Sequence, residues 1–151
     1  MRNLFNSTDL QITIDRVNQL TNDSKPTWGK MNVAQMLAHL NVGYEMAHED
    51  IHPKANFFMR FMLKTFVKPT VCGPKPYPKN GKTAPQFVMT GKTKAFEAEK
   101  KRLIDYMQKT QNLGPSHFEG KESPSFGALT ADEWNVLFAK HLDHHLTQFG
   151  V

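Results

Sequence analysis

Four stretches of the chain repeat apolar residues at the three- and four-residue spacing of an amphipathic helix, with proline- and glycine-rich segments between them. We predict long helices over about residues 7–21, 32–52, 93–111 and 130–149, and a shorter helix over 55–67. Alternating patterns are almost absent, and residues 86–90 are the one strand candidate. Long helices joined by loops favour an all-α fold, which we predict to be an antiparallel four-helix bundle with an extra short helix and long Pro/Gly loops.

The length of 151 residues, of which 39% are hydrophobic, is typical of one domain, so we predict a single helical bundle domain over residues 1–151. The apolar stretch 57–63 is interrupted by Arg60 and is far shorter than the roughly 20 residues of a membrane span. Asp9 and Asp15 stand where a secretory signal would be apolar, and a lone Cys72 cannot form an internal disulfide. These features predict a cytoplasmic protein with no membrane partner.

Two segments between the long helices are unusual for a compact domain. The short predicted helix is apolar on more than one side, which predicts that it either packs deeply or covers another part of the molecule; its large apolar residues are Phe57, Phe58, Phe61, Met62 and Phe66. Residues 69–91 contain five prolines and three glycines, and a loop of this length is typically functional or mobile.

The positive charge is concentrated in the middle of the chain. Residues 1–53 carry a net charge of −2, residues 54–102 carry +10, and residues 103–151 carry −3. Lys75, Lys79 and Lys82 in the long loop are therefore candidates for attracting an anionic substrate. A nucleic-acid-binding module is the alternative, but few aromatic residues accompany these lysines and no nucleic-acid motif is present, so nucleic acid is not the expected partner.

The histidines are the best candidates for metal ligands, because the chain has no cysteine cluster. On the last helix, His141 and His145 lie within the apolar face, and imidazoles at i and i+4 can converge on one metal ion. His39 borders the inward face of the second helix, and Gly43 one turn later leaves space beside it. The alternative is that all three are core histidines satisfied by hydrogen bonds, and the spacing leaves both interpretations open.

His48-Glu49-Asp50-Ile51-His52 matches the H-E-x-x-H motif of zinc metalloproteases. Pro53 disfavours helical geometry at His52, so the second imidazole is not expected to stand over the first. His48 also lies on the opposite side of its helix from His39. We therefore interpret these residues as a polar helix end.

The motifs around the three histidines resemble the DinB/YfiT-like superfamily of metal-binding four-helix bundles, and more narrowly a bacterial branch of it. The similarity covers about residues 28–50 and 124–150, through WGKM at 28–31, MLAHL at 36–40, FGxLTxxEW at 126–134 and KHLDHHLTQFG at 140–150. By resemblance, His39, His141 and His145 would hold a divalent metal. The resemblance also implies either S-transferase chemistry with a low-molecular-weight thiol or hydrolase chemistry. Ser123 stands where similar sequences of this branch have a histidine.

Three neutral imidazoles leave a zinc-like ion an open position, which is typical of catalytic sites. We predict a metal-dependent transferase or hydrolase, with zinc or nickel, that acts on a small anionic or electrophilic molecule and can form a homodimer. The alternative is a non-catalytic anion-binding or scaffold bundle with a vestigial metal site. Because free imidazole titrates near pH 6.5, we expect metal-dependent stability to shrink below about pH 6.5.

Overall fold

The computed structural model describes residues 1–151 and is mostly helical, with one small sheet. In chain order its helices and strands are α1 (Ser7–Gln19), α2 (Val33–His48), α3 (Phe57–Met62), a π-helical turn (Leu63–Val67), α4 (Lys68–Val71), a 3₁₀ turn (Pro85–Phe87), α5 (Phe96–Phe118), β1 (Lys121–Ser123), β2 (Gly127–Leu129) and α6 (Ala131–Gln148). The all-α prediction is confirmed in this broad sense, since the two strands have only three residues each.

Side-chain caps explain where the long helices begin. Asn32 before α2 and Thr130 before α6 each form a capping box, in which the cap side chain and the residue three positions later satisfy each other's backbone N–H groups. Asn6, not the predicted Ser7, caps α1 by accepting from the backbone N–H groups of Thr8 and Asp9. The sequence therefore located these starts to within one residue.

The second helix ends earlier than predicted, at His48 and not near Pro53. Glu49 is extended, and the chain then folds back so that the Nε2 atom of His52 lies 2.7 Å from the Oε2 atom of Glu45. The hydroxyl of Tyr106 also donates to the Glu49 carboxylate. Polar contacts to these side chains therefore accompany the early helix end, five residues before the proline.

The region after residue 111 is the largest correction to the predicted elements. The helix predicted to end at 111 continues to Phe118, with an interruption at Gly114, where φ is +71°, and Pro115 starts the final turn. The predicted loop 114–129 contains the β1–β2 hairpin, which pairs antiparallel with Glu122 opposite Ala128. The strand predicted at 86–90 is wrong, because proline at 85 starts a 3₁₀ turn there.

The main core is a cluster of 25 buried apolar residues, drawn mainly from α1, α2, α5 and α6, and a second cluster contains Ala38, Val42 and Met89. Helix α2 is at its centre, because 14 of its 16 residues are buried. Tyr44 of α2 stacks on Phe138 of α6, with ring centroids 4.6 Å apart. Any polar side chain of α2 that faces α6 is therefore removed from bulk water, and His39 is one of these.

A buried lysine holds the start of the long loop against α6. The Nζ atom of Lys140, a residue only 5% exposed, donates to the backbone oxygens of Thr70 at 2.6 Å, Gly73, and Lys75 at 3.1 Å. Charged donors form stronger hydrogen bonds than neutral ones, so these contacts fix the path of the chain from α4 into the loop. They also place Tyr77, whose ring is 4.7 Å from the Lys140 ammonium, beside α6.

The segment from α3 to α4 lies on the surface, so the deep-packing alternative for it is wrong. Within this segment, Leu63 and Val71 pack against the core, whereas the phenylalanines are exposed.

No helix of the molecule is both long enough and apolar enough to cross a bilayer.

Candidate metal centre

Three histidine side chains from two helices meet between α2 and α6. His39 comes from α2, and His141 and His145 come from successive turns of α6. One ring nitrogen of each lies within 4.8 Å of the corresponding nitrogens of the other two. The Nε2 atoms of His39 and His141 are 2.9 Å apart. The structure therefore brings together the three histidines that the sequence indicated as candidate metal ligands.

The nitrogen separations suit a small metal ion. Four-coordinate zinc binds imidazole nitrogens at about 2.0–2.1 Å, which places ligand nitrogens about 3.3 Å apart in a tetrahedron. The observed separations, 2.9 Å for the closest pair and at most 4.8 Å overall, lie on either side of this value. Small rotations of the imidazole rings would therefore let the three histidines hold a divalent metal ion.

Hydrogen bonds on the outer side of two of the rings set which nitrogen faces the centre. The Nδ1 atom of His39 lies 2.8 Å from the backbone oxygen of Phe87, which can only accept, so Nδ1 carries the hydrogen. The Nδ1 atom of His145 lies 2.7 Å from the Oε1 atom of Gln148, whose Nε2 group donates to the Trp28 oxygen. Both rings are therefore left with a bare Nε2 atom, the form that binds metal.

The ring of His141 lies against Gly43 of α2. A Cβ atom added at Gly43 would lie 3.4 Å from the Nδ1 atom of His141, which is about van der Waals contact. His141 is half-buried, whereas His39 and His145 are buried.

Burial keeps all three imidazoles neutral near pH 7. Loss of solvation lowers the pKa of His39, and it lowers the pKa of His141 well below its usual value. Burial and the neighbouring His39 lower the pKa of His145 to about 3. Neutral imidazole is the ligand form, so the site is ready for a cation without first losing protons.

Two further histidines, His48 at the end of α2 and His52 just beyond it, do not belong to this centre. The Nε2 atom of His48 contacts the Thr110 hydroxyl at 2.8 Å, and burial lowers the pKa of His48 to about 4. His52 contacts Glu45 instead. The two ends of the H-E-x-x-H motif thus have different partners, as expected from the position of Pro53.

Three neighbours of the centre were not predicted from the sequence: Phe87, Gln148 and Trp28. Gln148 follows His145 by three residues on α6, a spacing at which helix side chains meet, so its role was accessible to sequence reasoning. The contributions of Phe87 and Trp28 are backbone oxygens, which any residue carries. No sequence signal identifies them.

We expect the Gln148→Leu variant to bind divalent metal about 10- to 100-fold more weakly, because His145 loses the acceptor that orients its ring. Competition with a chromogenic chelator measures this affinity. Gln11→Leu is the matched control, since the side chain of Gln11 lies on the surface and bonds only to Asp15. Unchanged affinity in Gln148→Leu would show that this hydrogen bond does not support the site.

A cleft of about 860 Å³ lies beside the centre, between α1, α6 and the long loop. Lys79 lines it, with its ammonium 4.3 Å from the centroid of the Trp28 ring. Tyr77 and His144 form the wall towards the histidines: Tyr77 is 6.3 Å from His141 and His144 is 4.9 Å from His145, centroid to centroid. The side chains of Tyr77 and His144 therefore lie between the cleft and the histidine centre.

The three candidate lysines have different surroundings. Of Lys75, Lys79 and Lys82, only Lys79 lines the cleft. Lys75 contributes its backbone oxygen to Lys140, and Lys82 is exposed on the loop. The structure thus favours one of the three as a residue that could meet a ligand near the centre.

The sequence profile of a family described as "Protein of unknown function (DUF1569)" matches residues 2–150, almost the whole chain. The chain belongs to the DUF1569 family. No protein of curated annotation and no solved structure matches it significantly. The family description names no activity, so the case for a function depends on the residues of the centre and the cleft.

Proposed function

We propose that this DUF1569 protein is a metal-dependent enzyme related to the DinB/YfiT-like superfamily, with α1, α2, α5 and α6 forming the antiparallel bundle. The observation that carries this proposal is the convergence of three histidine nitrogens, contributed by two helices about 100 residues apart. His39, His141 and His145 would hold the ion, for which imidazole ligands suit zinc or nickel.

The donor set supports catalysis over a purely structural site. The group contains three ligands, all neutral, and structural zinc sites usually have four. When bound, a divalent ion would supply a Lewis acid that lowers the pKa of a coordinated water or thiol. The protein's own contribution is to hold the imidazoles neutral and correctly oriented through burial, Phe87 and Gln148.

The cleft favours a small substrate or co-substrate that carries an anionic group. Arg16, which also lines it, is paired with Asp143 at 2.7 Å, and Lys140 is committed to backbone oxygens. Lys79 forms no ion pair and lies over the aromatic ring of Trp28. We infer that Lys79 would attract the carboxylate of a thiol co-substrate, with Trp28 as an apolar wall.

Metal analysis followed by an activity screen tests the proposed function. Protein purified without a nickel column is analysed for bound elements and then assayed for S-transfer from low-molecular-weight thiols to electrophiles, and for ester and amide hydrolysis. We expect about one metal ion per chain and a turnover that the His39→Ala, His145→Ala double variant lacks. If the protein binds metal but shows no turnover in either the S-transfer assay or the hydrolysis assay, that result would favour a binding or scaffold role.

For the activity found, we expect Lys79→Gln to lower kcat/KM about two- to fivefold at low ionic strength, the range expected for one exposed charge. The difference should vanish at high salt, because screening shortens the reach of exposed charges. Lys82→Gln is the matched control, since it removes the same charge from the same loop outside the cleft. Equal effects of both substitutions would mean that the lysines act only through net charge.

A further inference from the structure

One face of the α3–α4 segment exposes more aromatic surface than any other element of the molecule. We call the exposed apolar surface of this segment the aromatic face; its residues and their exposed fractions are Phe57 (89%), Phe58 (69%), Met59 (49%), Phe61 (58%), Met62 (36%), Phe66 (66%) and Val67 (38%). Contiguous exposed apolar residues are rare on proteins that have no partner for them. The aromatic face therefore needs an occupant.

The segment is firmly attached, so the aromatic face is presented outward and does not result from a lack of contacts. Its inner side packs on the core through Leu63 and Val71. Arg60 pairs with Glu122 of β1 at 3.4 Å, and Lys68 pairs with Glu133 of α6 at 2.7 Å. The Asn56 side chain caps α3. These contacts orient the phenylalanine side chains away from the core.

The aromatic face lies on a basic stretch of the chain, and Glu122 of β1 and Glu133 of α6 pair with two of its cations. Residues 51–96 contain nine lysines and arginines and no aspartate or glutamate. Two of these cations, Lys54 and Lys64, lie on the aromatic segment or beside it, are exposed, and form no ion pair. The segment thus combines exposed aromatic rings with two exposed lysines that form no salt bridge, which is the pattern of helices that lie in a membrane interface.

We propose that the aromatic face docks on the surface of an anionic lipid bilayer, with its phenylalanine rings among the acyl chains and Lys54 and Lys64 among the lipid headgroups. This proposal replaces the expectation of no membrane partner, which considered only membrane-spanning and secretory segments, whereas an interfacial helix needs only one apolar face. A two-fold contact between copies of the chain is the competing arrangement, and the experiments below distinguish it from lipid binding. The proposal does not depend on the metal centre.

Cosedimentation of the whole protein with vesicles tests the proposal. We expect binding to phosphatidylcholine vesicles that contain about one-third phosphatidylglycerol, and much weaker binding to phosphatidylcholine alone. Binding to the anionic vesicles should fall as salt is raised, because the lysine contribution is screened. Failure to bind anionic vesicles at low salt would overturn the proposal.

Two sets of substitutions separate the aromatic face from general surface hydrophobicity. The triple variant Phe57→Ser, Phe58→Ser, Phe61→Ser should lower the partition coefficient at least about tenfold, since three rings no longer leave water. A control triple variant replaces three apolar residues elsewhere that are about 40% exposed, less than the phenylalanines, and should bind normally; it combines Ile12→Ser, Val88→Ser and Leu113→Ser. If both triple variants lost vesicle binding to the same extent, that result would contradict a specific docking face.

The Lys54→Gln, Lys64→Gln variant should lose about fivefold per lysine on anionic vesicles, the factor that about 1 kcal/mol represents. All substituted residues are exposed to some degree, so circular dichroism should report unchanged folding. Size-exclusion chromatography with light scattering supplies the competing outcome. A dimer that the phenylalanine triple converts to a monomer, together with no vesicle binding, would assign the aromatic face to a second copy and overturn the lipid proposal.

Discussion

We expect the His39→Ala, His141→Ala and His145→Ala variants each to bind zinc or nickel more than about 100-fold more weakly than the native protein. Losing a ligand costs more than losing the hydrogen bond that orients one, and the latter is worth about 10- to 100-fold in affinity. The three nitrogens lie within 4.8 Å of one another, so no single histidine is peripheral to the group. Isothermal titration or chelator competition measures the affinities.

His144→Ala is the most demanding control for these variants. It lies between His141 and His145 in sequence, and its ring is 4.9 Å from that of His145, but it lines the cleft and is not part of the three-nitrogen group. We expect it to retain stoichiometric binding, as should His48→Ala and His52→Ala. Tight binding that survives in the His141→Ala, His145→Ala double variant would contradict the site.

The second large effect is the dependence of stability on metal. Metal at about 100 times its dissociation constant should stabilise the fold by about 2.7 kcal/mol, which raises the melting temperature of a protein of this size by roughly 5–10 °C. Chelation should remove this increment without unfolding the protein, because the 25-residue apolar core includes none of the three histidines. Thermal denaturation with added zinc and with chelator measures both.

The lowered pKa values change the expected pH dependence. In the unfolded chain the histidines titrate near pH 6.5, whereas in the folded protein burial keeps them neutral to lower pH, to about 3 for His145. Below pH 6.5 the unfolded state therefore binds more protons. In that range the free energy of unfolding should decrease as the pH is lowered, by up to about 1.4 kcal/mol per pH unit for each histidine.

The stabilisation of the folded protein by bound metal should persist below pH 6.5, contrary to the expectation based on the pKa of free imidazole. Protons compete with the ion only when they can bind the folded site, and burial opposes that until the pH approaches the folded pKa values. Melting curves between about pH 4.5 and 8 distinguish the two expectations. A melting temperature that responds to neither metal nor chelator would identify the histidines as ordinary core residues and remove the basis of the proposed function.

Local chemistry made part of the fold predictable. Asn32 and Thr130 each precede a residue that completes a capping box, so the starts of α2 and α6 follow from a few neighbouring residues. The hairpin at 121–129 was not predictable in this way, because strands of three residues are too short to show alternation. The extension of α5 past Gly114 was hidden by the glycine and proline that interrupt it.

Residue spacing alone indicates which histidines share a helix face, because the angle between residues on a helix depends only on their spacing. His141 and His145 followed from this rule, and His39 followed from its place on the inward side of α2. How the rings are held could not be predicted in this way, since the Phe87 and Trp28 oxygens belong to segments distant in sequence from the histidines that they orient. The tertiary structure also decided that the phenylalanines of α3 face outward, because a short segment that is apolar on several sides carries no information about which side its neighbours cover.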